Sequence, residues 1–266
     1  MDTLRFERAG NGVATLTFNR PEKKNAINTT MWRELIEVLD AVEDDAEIRV
    51  LVLTGAGDAF TSGADLSPGG LGGIPDSGPG GLGGSVRSMR IVGRVALRLH
   101  ELHLPTIAAV NGVTAGAGCN LALGCDLIVA SDTARFAEIF ARRGLSLDAG
   151  GSWLLPRLVG LHRAKQLAYL ADIISAAEAA DLGLVNWVVP AAELTGFVND
   201  LARRIAAQAP VQLQIMKRQL NQSFSVSMAE ALEFEDLAQA ANFGSKDTAE
   251  AMAAFLERRD PRFTGE

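Results

Sequence analysis

Apolar and polar residues alternate from Val13 to Phe18 and then give way to Asn19-Arg20-Pro21, a pattern that predicts a strand leaving into a loop. From Thr29 to Val42 the spacing changes. Met31, Leu35, Val38, Leu39 and Val42 recur on one face of a helix. Val50-Leu-Val-Leu53, closed by Thr54-Gly-Ala-Gly57, has no polar face and predicts a buried strand. Thr106–Val110 and Leu127–Ala130 read the same way, Arg135-Phe136 predicts a further short strand, and Ser85–His103 predicts a helix. Ser175-Ala-Ala-Glu178 and Ser227-Met-Ala-Glu230 fit helix capping boxes. Strands alternate with helices to about residue 190, and from Ala191 the pattern is helical nearly throughout. The expectation is an α/β core over residues 1–190 followed by a helical region over 191–266.

Residues 67–84 are a Pro/Gly/Ser stretch, which predicts a loop without regular structure and a candidate lid beside a pocket. The chain has 266 residues, 48% hydrophobic and 21% charged, enough for a sizeable core. A net charge of −7 argues against nucleic acid as a partner, because phosphate backbones select basic surfaces. No run reaches the ~18 apolar residues of a spanning helix, so no membrane partner is expected. The opening twelve residues lack the apolar stretch of a signal peptide, which points to the cytoplasm. Cys119 and Cys125 do not share a helical face and read as reduced, buried thiols. His100 and His103 have no evident third ligand for a metal, so no metal site is expected.

Two segments look built to hold a polarised carbonyl. The first, Gly55 to Leu66, follows a buried strand and contains Gly63-Ala64-Asp65. Its small residues let the backbone approach a ligand and point amides at it. No Lys-Ser/Thr pair follows, so it is not a nucleotide phosphate loop. In the second, the strand ending at Val110 runs through Gly112 and Gly116 into a helix that starts near Ala117. Free amides in the first turn suit developing negative charge. The G-x-G-x-x-G spacing is absent, which disfavours a nicotinamide cofactor. Downstream, Asp148 is the only carboxylate in the apolar, glycine-rich run Gly144–Trp153. Taken alone it reads as a helix N-cap before Ala-Gly-Gly-Ser; beside two carbonyl-holding segments it reads as a base.

These segments, with Asn19-Arg20-Pro21-Glu-Lys-Lys-Asn25-Ala26 and Leu145–Trp153, resemble the enoyl-CoA hydratase/isomerase (crotonase) family over essentially the whole chain. The resemblance implies an α/β spiral of ββα units with a helical C-terminal trimerisation region. It implies an acyl-CoA thioester substrate, with coenzyme A as part of the substrate and no separate cofactor, and a homotrimer or hexamer. It implies an oxyanion hole from the amides of Ala64 and Ala117, flanked by Gly63, Asp65, Leu66 and Gly116. Lys24 and Ala26 match the CoA-side loop, with Lys23 and Lys24 either near the nucleotide phosphates or simply solvated. Phe255 and Arg258 match positions from which a neighbouring subunit reaches the CoA, and they read equally well as ordinary amphipathic helix residues.

The catalytic side departs from the hydratase pattern. Hydratases of this family activate water with two glutamates, and the matching positions here are Asn120 and Phe140. Glu138, two residues away, reads as a solvated or structural carboxylate and only as a reserve base. Asp148 matches the aspartate of isomerases in the family, and the run Asp148–Arg157 is similar to the epoxyphenylacetyl-CoA isomerase branch. Asn120, Phe140 and Leu145 are expected to line the acyl site, with Leu145, Leu147, Phe140 and Trp153 drying the aspartate. The reading is a double-bond isomerase with one acid/base. The alternatives are a hydratase using Asp148 or Glu138, a nucleophilic Asp148 in dehalogenation or thioester hydrolysis, and a non-catalytic acyl-CoA binder.

Overall fold

The computed structural model describes residues 1–67 and 81–266. Most of the stretch read as a lid therefore lies outside the described residues.

A six-stranded sheet forms the backbone of the fold. Its strands are β1 (Leu4–Arg8), β2 (Val13–Phe18), β3 (Val50–Gly55), β5 (Thr106–Val110), β7 (Leu127–Ser131) and β10 (Trp187–Val189), side by side in that order. Only the β1–β2 hairpin is antiparallel; the other neighbours run parallel. A second sheet carries β4 (Ala59–Thr61), β6 (Val113–Ala115), β8 (Arg135–Ala137) and β9 (Ile173–Ser175). The apolar run in β3 is buried on both faces, as parallel strands are when covered from two sides. Leu51 and Leu53 face the main core with Leu16, Leu35 and Phe60. Val50 and Val52 face the opposite layer, under Val198 and Leu201 of α7 (Leu194–Ala206).

Helix α1 (Thr29–Glu43) starts where the Asn28 side chain accepts the Met31 amide at 2.9 Å, and it buries the apolar stripe read from the sequence. Helix α2 (Gly81–Glu101) begins four residues before the expected Ser85, so residues 81–84 are helical rather than loop. Glycines cost little in a first turn, where amides have no intrahelical partner and downstream residues carry the hydrogen bonds. After α3 (Ala117–Leu123) come α4 (Gly151–Val159), α5 (Leu161–Leu170) and α6 (Ala176–Asp181). The capping boxes at Ser175 and Ser227 both form, the latter opening α9 (Met228–Phe243). Beyond β10 the chain is helical, with α7, α8 (Pro210–Gln222), α9 and α10 (Lys246–Glu257) in succession. Lys217 pins α8 to the core, pairing with Asp126 at 2.8 Å and donating to the Leu104 carbonyl at 3.0 Å.

Candidate active site

The loop after β4 and the start of α3 meet in space. Ile27 donates to the Gly63 carbonyl at 2.8 Å, and Asp65 donates to the Ile27 carbonyl at 3.0 Å. Ala64 sits between these two bonds, in bridge register with Ile27. Arg20 fixes the far end of the loop, pairing with Asp65 at 3.0 Å and donating to the Ala26 carbonyl at 2.5 Å. Gly63 has a φ of 87°, and a Cβ there would lie 2.6 Å from the Ala115 carbonyl oxygen and 3.6 Å from the Ala117 nitrogen. Gly118 is equally constrained, since a Cβ would come within 2.8 Å of the Thr61 carbonyl oxygen. A glycine on one side of each contact lets the two backbones pass this closely.

Among the described residues, neither the Ala64 nor the Ala117 amide donates a hydrogen bond. The positive φ before α3 falls on Gly116 (φ 53°), so Ala117 enters the helix without one. Phe140 is buried against this turn, its ring edge 3.8 Å from where a Gly116 Cβ would be. Two neighbouring backbone N–H groups with free donor capacity and an apolar wall can hold an anionic oxygen.

Asp148 lies in the loop before α4. It does not cap that helix: the cap is Gly150, with no side-chain hydrogen bond, and Asp148 Oδ1 is buried without a partner. Burial raises its carboxyl to about 6. Two of the four residues expected to dry it are withdrawn from solvent: Phe140 is buried and Leu147 packs against the core. Ala149 is buried as well, at a left-handed φ of 46°. Leu145 and Trp153 remain substantially exposed. Trp153 instead meets the His100 ring edge-on at 5.1 Å and carries the Arg157 guanidinium 3.8 Å above its own ring.

Asn120, expected along the acyl chain, is fully buried beneath the Asp148 loop. Its Nδ2 donates to the Asp148 carbonyl at 2.9 Å, and a side chain at Gly151 would collide with its amide. A side chain sealed in this way supports the loop and is not exposed to a ligand. Glu138 is also not a solvated carboxylate. It is 4% exposed, and neither oxygen has a well-formed hydrogen bond. Burial raises it to about 7; the Cys119 thiol and Asn120 amide oppose the rise, and the Asp148 charge adds to it. Sequence reading missed the burial of Glu138. The one signal was its place two residues from both Phe136 and Phe140, the spacing of a shared face in extended chain.

The remaining predicted residues are dispersed. Ala26 is buried beside the Gly63 loop, Leu66 is exposed, and Lys24 is exposed and paired with Asp58. Phe255 and Arg258 are exposed at the end of α10 and its C-cap. Cys119 and Cys125 are free and buried, as read. His103 pairs with Glu43 at 3.2 Å, and the described residues hold no cluster with metal-ligand character. None of the described helices is long and apolar enough to cross a membrane. A cavity of about 940 Å³ between α2, α4, α8 and α9 is bordered by Ala149 and Gly150 but by neither candidate oxyanion amide.

The enoyl-CoA hydratase/isomerase family model matches residues 8–266. The chain belongs to this family. It is 41% identical to 1,2-epoxyphenylacetyl-CoA isomerase of Escherichia coli (strain K12), over 96% of this chain and 95% of that one. It is 37% identical to the short-chain-enoyl-CoA hydratase of Clostridium acetobutylicum, over 97% and 96% of the two chains. Among solved structures, the enoyl-CoA hydratase from Bacillus anthracis superimposes with a TM-score of 0.91 at 30% identity, covering 99% of this chain and 100% of that one. The α/β architecture is therefore the crotonase fold. The protein is an enzyme of the hydratase/isomerase family, whose members here carry both isomerase and hydratase names.

Proposed function

We propose that this enzyme is an acyl-CoA double-bond isomerase of the Δ3-Δ2-enoyl-CoA or epoxyphenylacetyl-CoA type. The observation that carries the reading is Asp148, a half-buried carboxyl whose Oδ1 is sealed without a partner and whose proton affinity suits catalysis near neutral pH. For a 3-enoyl thioester, the Asp148 carboxylate removes a proton from C2. The electron pair moves into the thioester carbonyl, and the Ala64 and Ala117 amides receive the charge on oxygen. The conjugated dienolate then takes the proton back from Asp148 at C4, the carbonyl re-forms, and the double bond lies between C2 and C3. Each oxyanion donor contributes about 3–4 kcal/mol when preorganised. Phe140 and Asn120 stand where a hydratase needs carboxylates, and neither can activate water. The 41% identical isomerase of E. coli supports the same reading.

The remaining roles follow from it. Lys24 and Ala26 flank the CoA, and Leu66 and Leu145 border the acyl group. Phe255 and Arg258 reach the CoA of a neighbouring subunit in a homotrimer. Coenzyme A is part of the substrate and no further cofactor is used. Asp148→Asn tests the proposal: isomerisation of a 3-enoyl-CoA should fall at least ~100-fold. A mutant working near the wild-type rate removes Asp148 from the chemistry. One observation favours a second reading, enoyl-CoA hydration, because buried Glu138 places another carboxyl beside Asp148. Formation of 3-hydroxyacyl-CoA from crotonyl-CoA separates the two.

A further inference from the structure

Glu138 follows β8 directly, and its carboxyl is sealed among α3, β8 and the Asp148 loop. Among the described residues, four buried acceptor atoms of this region have no well-formed hydrogen bond: both Glu138 oxygens, Asn120 Oδ1 and Asp148 Oδ1. Asn120 holds them together, because its Nδ2 is committed to the Asp148 carbonyl while its amide borders Glu138. Buried acceptors met only by the Cys119 thiol and the Asn120 amide, without well-formed hydrogen bonds, are costly, and one retained proton relieves the crowding. We propose that Glu138 is the proton-holding partner of Asp148, a positioning residue that stays neutral while Asp148 ionises, so that the working site carries one negative charge and not two.

The chemistry requires such an arrangement. An enolate forming beside two carboxylates would be repelled by both, whereas one carboxylate and one neutral acid leave a single charge, and that charge is neutralised as Asp148 takes the substrate proton. The order of ionisation agrees, with Asp148 at about 6 and Glu138 at about 7, the latter raised by burial and by the Asp148 charge. The groups acting on Glu138 are the Cys119 thiol and Asn120 amide from α3 and Asp148 from the loop. Cys119 itself stays protonated, its thiol pushed well up by burial and by Glu138. The inference rests on the isomerase reading for its purpose, but the proton sharing does not.

Carboxyl infrared titration of the ligand-free protein, with wild type, Glu138→Gln and Asp148→Asn compared, therefore tests it without any substrate. Wild type should show two steps, near 6 and near 7. Glu138→Gln should keep only the lower step. In Asp148→Asn the remaining Glu138 step should move down, because the neighbouring charge is gone. A Glu138 step at the ordinary carboxyl value of 4.5, or one that Asp148→Asn leaves unmoved, overturns the pairing. The Asp148→Asn arm keeps Glu138 intact, so the test survives a Glu138→Gln variant that fails to fold. The pH profile of kcat/KM is the second readout. Wild type should lose rate above about 7 and Glu138→Gln should lack that alkaline limb. An alkaline limb retained in Glu138→Gln sinks the proposal. Absence of isomerase activity in every variant, with the two coupled steps present, removes the functional reading and leaves the proton pair standing.

Discussion

Asp148 is expected to make the protein less stable in order to be useful. In the unfolded chain it loses its proton near 3.8, and in the folded chain burial holds the proton to about 6. Between those values only the folded state keeps the proton, so stability falls as pH rises through the window and stays lowered above it. At pH 3 both states are protonated and the penalty is absent. Asp148→Asn should therefore stabilise the protein at pH 7 by roughly 3 kcal/mol, taking 1.36 kcal/mol per unit, and have little effect at pH 3. Urea unfolding at the two pH values checks this; an equal gain at both would assign the effect to packing. The same group predicts the acid limb of catalysis. Because the base must be ionised, kcat/KM should drop about tenfold per unit below pH 6.

Among the elements, the decisive contact is the crossing of the Gly63 loop over the start of α3. Gly118→Ala would set a Cβ within 2.8 Å of the Thr61 carbonyl oxygen, and backbone cannot yield as a side-chain end can. The first turn of α3 must then move. A loss of about 1–3 kcal/mol in stability is expected. A fall of at least ~10-fold in kcat should accompany it, because oxyanion donors act only at close range. Thermal melts and steady-state kinetics on the same preparation measure both; full activity in a well-folded Gly118→Ala protein would mean that α3 takes no part in holding the oxygen. Much of this level was legible in the sequence. The run Val50–Leu53, the α1 stripe and both capping boxes announce themselves through local periodicity and local hydrogen bonding. Of the five three-residue strands among the described residues, β4, β6, β9 and β10 do not, because three residues are too few to display a period; only β8 is legible, from Arg135-Phe136. The roles of Asn120 and Glu138 were hidden for another reason. Each depends on a contact with the Asp148 loop, and no spacing within the sequence records which loop folds over which helix.

For the molecule as a whole, the C-terminal helices raise a question of solvent exposure. Helix α8 is anchored by Lys217 and by Asn221, whose side chain donates to the His100 carbonyl at 3.3 Å. Arg157 of α4, stacked on Trp153, also approaches the Phe224 ring to 5.8 Å, so this helical region touches the element that follows Asp148. Helices α9 and α10 are different. Met228, Leu232, Leu237, Phe243, Met252, Phe255 and Leu256 are all exposed, and Ala238 is the single buried residue of α9. Exposed apolar side chains along two helices suit an interaction site, and a second copy of the chain is the occupant that the proposed homotrimer supplies. Burying a Leu or Phe side chain is worth about 1.5–3 kcal/mol, so replacing two with carboxylates should outweigh what holds such an assembly at micromolar concentration. Light scattering should give three chain masses, or a multiple, for wild type and one for the Leu237→Asp/Phe243→Asp double variant. Neither residue belongs to the chemistry at Asp148, so the dissociated variant separates assembly from catalysis. If Phe255 and Arg258 reach the CoA of the neighbouring subunit, dissociation should raise KM for acyl-CoA more than it lowers kcat. A wild-type chain that runs as a monomer at micromolar concentration would leave those two residues without any role in binding.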